Sequence, residues 1–562
     1  MATLHHLIIK NFRGIQNFDQ NFKKGLTCII GRGDSGKSTI LDAISFVLSS
    51  SWSLSFYDSD FYNCQTNSPI EIEATLVDVP EKLLAKYGMY VRGVKSDGTI
   101  IDDMESDEAE FATAALTINL KVTKDLEPIW SVASYRGQAP ASISAIDRSH
   151  FNSATISNYS DKHFSLNKGN PLYTLLKKTE VGQAEDEENV ILEVLRRAKH
   201  EIDGSIAEKF NEVIKVVVET SKKLGISAPD IKASIDHRDI SIKENKVCLH
   251  EIDVPLRLKG KGSKRLISLA IQLSIAEPNG IILIDEIEQG LEPDRVQHLV
   301  HVLKEFNTFQ IFFTSHSSNA IVELSSKDLL IMTKGAVKLL NISDELQGCV
   351  RNNPDAFFAK RIIVCEGATE VGICRALNNI REEQKKLSFS CLGIVIVDGN
   401  GANMLKYASN FKSLRYDVSL FCDSDVESVN NKKQDLTNLG IIVIDCDNGL
   451  SIEQQLFNDA MWNVIVSMLE YRITIDGIDS ESVFNSMFSQ TNTLPPFSSD
   501  WYISERDGMK QLLGNKAKEK GWYKRIDHGM KIGELIFQNL DQLNPSSRTK
   551  SIFNQLARWI ET

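Results

Sequence analysis

The sequence predicts a multidomain α/β protein: a first α/β unit split by a helical insert, followed by a second parallel α/β domain with a helical tail. Three observations carry this. A phosphate-loop pattern lies between an apolar strand and a helix at 31–38. An apolar strand ending in two acids follows far downstream at 281–286. Four short apolar strands separated by helical sequence then begin at 361, the pattern of βα units in a parallel sheet. At 562 residues the chain is too long for one core, so two to four domains are expected.

Taken in order, Leu26–Ile30 (LTCII) reads as a short buried strand, and STILDAISFVL from Ser38 has helical apolar spacing. The stretches 70–76 (IEIEATL) and 116–122 (LTINLKV) alternate with period two, as half-buried antiparallel strands do. Helical spacing takes over at 185–224, with Ile191, Val194, Leu195, Ala198, Ile202 and Ile206 on one stripe. Phe210, Val213, Ile214 and Val217 continue it beyond Gly204, which predicts a bent helix or helical hairpin. Strand-like sequence returns at 231–258, and strong buried strands follow at 281–284 and 310–313. The later strands are RIIVC at 361–365, GIVIV at 393–397, SLFC at 419–422 and GIIVI at 440–444. After 451 the sequence is mostly helical, broken by TLPPFSS at 493–499. The expected domains are therefore 1–165 and 229–350 for the split head, 166–228 for the insert, and 354–562 for the second α/β domain with its tail.

Composition excludes several classes. Hydrophobic residues at 42% and charged residues at 25% are an ordinary globular balance, unlike a disordered or fibrous chain. Every apolar run is interrupted well short of the ~20 residues of a membrane span. The opening MATLHHLIIKNFRG lacks the apolar centre of a signal peptide, so a cytoplasmic protein with no membrane partner is expected. Nine cysteines without a CxxC pair fit small core residues in a reducing compartment better than a disulfide framework or zinc ribbon. A net charge of −12 argues against a uniformly basic nucleic-acid coat, yet leaves room for a locally basic track beside a carboxylate metal site.

Gly31-Arg32-Gly33-Asp34-Ser35-Gly36-Lys37-Ser38, followed by Thr39, satisfies GxxxxGK[ST] in its required strand–loop–helix setting. Backbone N–H groups close around phosphate oxygens there, Lys37 adds positive charge, and Ser38 offers a hydroxyl to Mg²⁺. Asp285 at the end of IILIDE is placed to hold Mg²⁺ and Glu286 to polarise an attacking water. His316, closing the next strand, is a sensor for the terminal phosphate. Just upstream, Leu258-Lys259-Gly260-Lys261-Gly262-Ser263-Lys264-Arg265 opens a helix, and Gly260, Gly262 and Ser263 suit phosphate from a facing subunit. This order of motifs, with Lys10-Asn11-Phe12-Arg13-Gly14 at the start, resembles the ABC-type ATPase heads of the SMC and RecF group. The resemblance implies two subunits sandwiching ATP. The 185–224 segment is far too short for coiled-coil arms of hundreds of residues, so a compact dimerisation element is expected there.

The second domain carries a different chemistry. Glu366, in VCEGATE, ends one strand at a glycine turn with Glu370 one helical turn on, and Asp423 and Asp425, in CDSD, end another. Strand-end acids of neighbouring parallel strands converge at the carboxyl edge of the sheet. So many acids together call for hard, oxygen-ligated cations such as Mg²⁺ or Mn²⁺, and such ions serve phosphodiester cleavage. EGxxE followed by DxD resembles the Toprim domain. A split ABC-type P-loop ATPase head with a helical insert, followed by a Toprim Rossmann-like domain with a helical tail, resembles the OLD (overcoming lysogenization defect) family of ATP-dependent endonucleases. That resemblance implies a later acid, best carried by Glu453, and a C-terminal lysine that stabilises the cleavage transition state, Lys524 first and Lys531 second. The six basic residues and one acid of 510–525, interleaved with Trp522 and Tyr523, could track a DNA backbone. Glu427, where many Toprim domains have a third aspartate, is left open.

The expectation is thus an ATP-regulated, metal-dependent DNA endonuclease acting in antiphage defence as a homodimer or dimer-based higher oligomer. It would work alone, with a helicase-like protein as in Gabija systems, or with a reverse transcriptase and its RNA–DNA product. The rival expectation is an SMC/RecF-like DNA-repair ATPase whose Toprim-like domain only binds nucleic acid.

Overall fold

The computed structural model describes residues 2–51, 53–102, 112–133, 135–156, 161–165, 170–178, 202–226, 231–235, 247–276, 280–476, 479–488, 501–506 and 508–561. They form two compact units, Met1–Ile342 and Ser343–Thr562. The division falls a little earlier than the sequence suggests. Helix Gln347–Asn352 buries Cys349 and Val350 within the second unit, where Asn410 also donates to Glu345 at 2.8 Å.

In the first unit, five parallel strands lie in the order Ser153–Ile156, Ile281–Ile284, Gln310–Thr314, Leu26–Ile30 and Leu329–Ile331, with Leu340–Asn341 antiparallel at the edge. Ile281–Ile284 and Gln310–Thr314 are buried at every position, which is why they read as unbroken apolar runs rather than alternations. Pairing of Ile284 with Phe313 and of Thr314 with Ile29 sets three strand ends side by side. Gly31, Asp285 and Ser315 leave the sheet along that one edge.

An eight-stranded antiparallel sheet completes the head, with Thr3–Phe12, Ile70–Val77 and Thr113–Val122 at its centre. Its alternation is as expected: Ile70, Ile72, Ala74 and Leu76 are buried, while Glu71 and Glu73 are half-buried. Leu7, Ile9, Ile44, Ile72, Leu120 and Phe312 share one core, so the helix Lys37–Val47 is locked between the two sheets.

In the insert, Ile202–Lys223 is one helix, and the part of the expected hairpin or bend ahead of it lies outside the described residues. Phe210, Val213 and Val217 are buried, and this helix packs on Lys261–Ile275 and Ile231–Ile235 of the same unit. Thr220 and Ser274 hydroxyls meet across that contact at 3.2 Å. Phe210, Val213 and Val217 of the stripe thus face their own subunit, while Ile214 is half-buried. Ile191, Val194, Leu195 and Ala198 lie outside the described residues.

The second unit is built on four parallel strands in the order Ile394–Asp398, Arg361–Cys365, Asp417–Cys422 and Ile442–Asp445. Its C-terminal helix Arg548–Glu561 clamps the second of these, because Arg361 donates to the carbonyls of Ile560 (3.1 Å) and Trp559 and to Asp417 (2.9 Å). Helices Ala368–Glu383 and Ile526–Gln538 approach through glycines. A Cβ on Gly372 would lie 2.3 Å from the Ile526 carbonyl oxygen, and one on Gly529 2.4 Å from that of Thr369. This tight crossing fixes the tail against the start of the Glu370 helix. The expected break at 493–499 lies outside the described residues. All nine cysteines are free and seven are buried, the small-core role expected of them.

Candidate active sites

The phosphate loop follows strand Leu26–Ile30. Gly31 at φ +144° and Gly36 at φ +100° hold backbone that side-chain-bearing residues rarely adopt, and a Cβ on Gly31 would sit 2.2 Å from the Met332 carbonyl oxygen. Arg32, Gly33 and Asp34 are exposed at the loop's tip, with Thr39 half-buried in the first turn of helix Lys37–Val47. The buried Lys37 ammonium donates to the carbonyls of Gly31 at 3.0 Å and Arg32 at 2.9 Å. Burial lowers its pKa against the opposing pull of Asp285, Glu286, Glu288 and Asp34. Among the described residues, the buried Ser35 hydroxyl has no hydrogen-bond partner. A cradle of turn amides, an unsatisfied hydroxyl and a desolvated ammonium fits a polyphosphate chemically.

Asp285 and its neighbours complete that edge. Ser38 Oγ donates to Asp285 Oδ1 at 3.0 Å, and Thr314 Oγ1 donates to the same oxygen at 2.5 Å. Ser38 and Asp285 are thus close enough together that they could share a divalent cation with a nucleotide. Glu286 stands at φ +46°, and its N–H donates to Thr314 Oγ1 at 2.8 Å. His316 is exposed, and its N–H donates to Glu288 Oε1 at 2.6 Å. Sequence reading passed over Thr314 and Glu288. Their one signal was polar residues next to strand ends in FFTSH and DEIE.

The loop at 260–265 opens helix Lys261–Ile275. Gly260 is exposed. Gly262 is buried where a Cβ would meet Glu292 Oε2 at 3.0 Å, and Ser263 Oγ accepts from Arg295 at 3.4 Å. Arg265 is buried and donates to the Asp285 carbonyl at 3.4 Å, so this helix touches the acidic strand end within its own subunit.

In the second unit, Glu366 leaves strand Arg361–Cys365 with its N–H on the Phe421 carbonyl at 3.0 Å, and its Oε2 accepts the Asp423 N–H at 2.8 Å. Asp423 Oδ1 accepts the Ile452 N–H at 2.7 Å at the start of helix Ile452–Asp459. One carboxylate oxygen each from Glu366, Asp423 and Asp425 lie within 4.8 Å of one another. Burial, then Glu366 and Glu453, push the Asp423 carboxyl up to about 8, and burial also raises Glu366. Three carboxylates this close resist ionising together unless a cation joins them, and an all-oxygen donor set fits Mg²⁺ or Mn²⁺.

Glu370, expected among the ligands, accepts the Gly367 N–H at 3.0 Å through Oε2 and so caps its own helix. It is buried beside Asp423 and Glu453, and burial drives its carboxyl well above the usual range. Glu427 is exposed at the start of helix Glu427–Asn438 and stands apart from the three. Glu453 is fully buried. It accepts from the hydroxyls of Ser451 (2.9 Å) and Thr369 (3.3 Å), with Lys524 Nζ 3.4 Å away. Burial alone would lower the Lys524 pKa, but Glu453, Asp423 and Glu370 raise it overall. Lys531 pairs with Glu534 at 3.3 Å, so of the two candidate lysines Lys524 is the one brought to the acids.

The basic tract at 510–525 departs from expectation. Trp522 and Tyr523 are buried, with Tyr523 Oη donating to the Met468 carbonyl at 3.1 Å, so neither presents a stacking face. Lys516 and Lys520 pair with Glu519, and Arg525 with Asp527. Lys518, which sequence alone did not single out, pairs with Asp425 at 2.9 Å. The tract supplies the acid cluster with Lys518 and Lys524 rather than forming a separate stripe.

Comparison with known families agrees with this geometry. Residues 3–181 match the model of an AAA ATPase domain, 226–323 match a further AAA domain model, and 357–425 match the Overcoming lysogenization defect protein-like TOPRIM domain. These matches give the domain order of the chain: an AAA ATPase domain followed by an OLD-like TOPRIM domain. Among individual relatives, the OLD nuclease of Thermus scotoductus is 26% identical over 337 residues, 56% of this chain and 59% of that protein. The DNA replication and repair protein RecF of Rickettsia canadensis is 22% identical over 372 residues, covering 58% of this chain and 98% of its own. The chromosome partition protein Smc of Methanocaldococcus jannaschii is 46% identical over 48 residues, 4% of its length. Among solved structures, an Smc head bound to the C-winged helix domain of ScpA covers 60% of this chain and 98% of its own, at 18% identity and a TM-score of 0.37. Among the described residues, no helix is long and apolar enough to cross a membrane.

Proposed function

We propose that the chain is an ATP-regulated, divalent-metal-dependent DNA endonuclease of the cytoplasm, acting in antiphage defence. The observation that carries this reading is the meeting of Glu366, Asp423 and Asp425 within 4.8 Å at the edge of the parallel sheet. Those three residues would hold the cation, which when bound supplies Lewis-acid stabilisation of phosphate charge. Lys524, half-exposed and paired with the buried Glu453, presents its ammonium to negative charge developing on the phosphate. Glu453 and Ser451 fix that ammonium and the start of helix Ile452–Asp459, whose first N–H orients Asp423. In the head, Lys37 grips the nucleotide phosphates, Glu286 polarises the hydrolytic water and His316 senses the terminal phosphate.

The deciding assay is nicking and linearisation of plasmid DNA by the purified chain with Mg²⁺ or Mn²⁺, with and without ATP. Cutting that a chelator stops is the expected result. A chain that binds DNA but never cuts, under every metal tried, belongs to the rival class of nucleic-acid-binding ATPases. A helicase-like protein, or a reverse transcriptase with its RNA–DNA product, is the system partner this reading allows. A plaque assay with and without the neighbouring genes tests that part.

Two further outcomes follow from the geometry. Lys524→Ala lowers cutting by about a hundredfold, the usual cost of one lost transition-state donor, whereas Lys531→Ala leaves it near the parent. Equal losses in both variants would show that Lys524 has no special place. The loop at Gly260, Gly262 and Ser263 takes phosphate from a facing subunit in the ABC arrangement, so a homodimer or dimer-based oligomer is expected with ATP. Light scattering that returns a monomer at micromolar protein, with and without ATP, rules this assembly out.

A further inference from the structure

The turn after Asp285 distributes its side chains three ways. Asp285 faces Ser38 and Thr314, Ile287 is buried in the core with its N–H on the Thr314 carbonyl at 3.1 Å, and Glu288 reaches the loop that follows the neighbouring strand. There Glu288 Oε2 accepts from the buried Ser315 hydroxyl at 2.8 Å and Oε1 accepts the His316 N–H at 2.6 Å. Ser315 Oγ in turn accepts the Ser317 N–H at 3.0 Å, so one carboxylate ties three consecutive residues of the loop. Glu286 is joined to the same loop from the other side, through its N–H on Thr314 Oγ1. The positions of Glu286 and His316 are therefore set by one shared lattice of hydrogen bonds.

We propose that Glu288 is a positioning residue for ATP hydrolysis, clamping the Ser315–Ser317 loop so that His316 and Glu286 keep a fixed separation across the terminal phosphate. This rests on the reading of the head as an ATPase and assigns Glu288 no contact with nucleotide. The bonding pattern separates positioning from chemistry. A glutamine at 288 accepts the His316 N–H through its carbonyl oxygen and donates its amide to a reoriented Ser315 hydroxyl, so it retains the clamp without the charge. An alanine removes both bonds. A carboxylate acting as base on water loses its function in either variant.

The test uses the full-length chain, measuring steady-state ATP turnover and, separately, ATP affinity by calorimetry. Glu288→Ala is expected to lower kcat by about a hundredfold, the scale of a small misplacement of reacting groups, with ATP affinity within about twofold of the parent. Glu288→Gln is expected to recover most of that rate. His316→Ala added to Glu288→Ala is expected to cost little more, because both act through one loop. The inference is overturned if Glu288→Gln is as slow as Glu288→Ala, which would make the charge itself essential. It is also overturned if Glu288→Ala turns over like the parent, or if the losses at 288 and 316 simply multiply. A parent that binds ATP without hydrolysing it overturns the ATPase reading itself, an outcome visible before any variant is compared.

Discussion

Glu366→Gln and Asp425→Asn should each reduce plasmid cutting by about a hundredfold or more while leaving ATP turnover near the parent's. Each change removes one of the three carboxylates that can share a cation, and with it ligand charge and Lewis-acid placement worth several kcal/mol at the transition state. At about 1.4 kcal/mol per tenfold, even the low end of that range gives a hundredfold. Loss of folding does not explain such a result. A glutamine at 366 can still accept the Asp423 N–H, and neutralising a carboxylate in a cluster where burial already raises Glu366 and Asp423 relieves repulsion. Thermal melting in chelator is therefore expected to be unchanged or higher for Glu366→Gln. Asp425→Asn also gives up the Lys518 contact, a partly exposed pair of small value. ATP turnover is spared because Lys37, Asp285 and Glu286 belong to the other unit. Variants that cut as fast as the parent would end the Toprim assignment of these residues.

The two sites were legible in the sequence to different depths. Gly31 to Ser38 is contiguous, so its loop could be read from spacing alone, and the acids after apolar strands could be placed because parallel strands expose their carboxyl ends on one edge. What could not be read was which polar residue meets which. Glu370 shows the same EGxxE spacing whether it binds a cation or caps its helix, and the structure has it accept the Gly367 N–H. The tract at 510–525 looked like a free basic face because charge counting takes no account of partners, and its aromatics turn inward. The Phe210, Val213 and Val217 stripe was a sound helix signal, but periodicity says only that a face is covered, not by what. Thr314 and Glu288 carried almost no signal, since their partners come from a neighbouring strand and a turn.

The second large effect lies in the head. Lys37→Ala is expected to weaken ATP binding by about a hundredfold, whereas Glu286→Gln retains binding and stops turnover. Lys37 is buried with its ammonium on two loop carbonyls, so its charge is held in place rather than swinging in solvent. Hydrogen bonds to a charged partner contribute about 1.5–3 kcal/mol each. With two of its three N–H groups on loop carbonyls, the ammonium offers phosphate one such bond together with its fixed charge, and losing both corresponds to about a hundredfold. Glu286 contributes differently. Its backbone N–H, not its side chain, enters the Thr314 network, so an amide there leaves Asp285 bonded to Ser38 and Thr314 and the nucleotide site intact. Only the group that polarises water is lost. Calorimetry with ATP and a phosphate-release assay on each variant separate the two roles. If Glu286→Gln hydrolyses ATP at the parent rate, the hydrolytic acid is a different residue. If Lys37→Ala binds ATP as tightly as the parent, the glycine loop is not the nucleotide site.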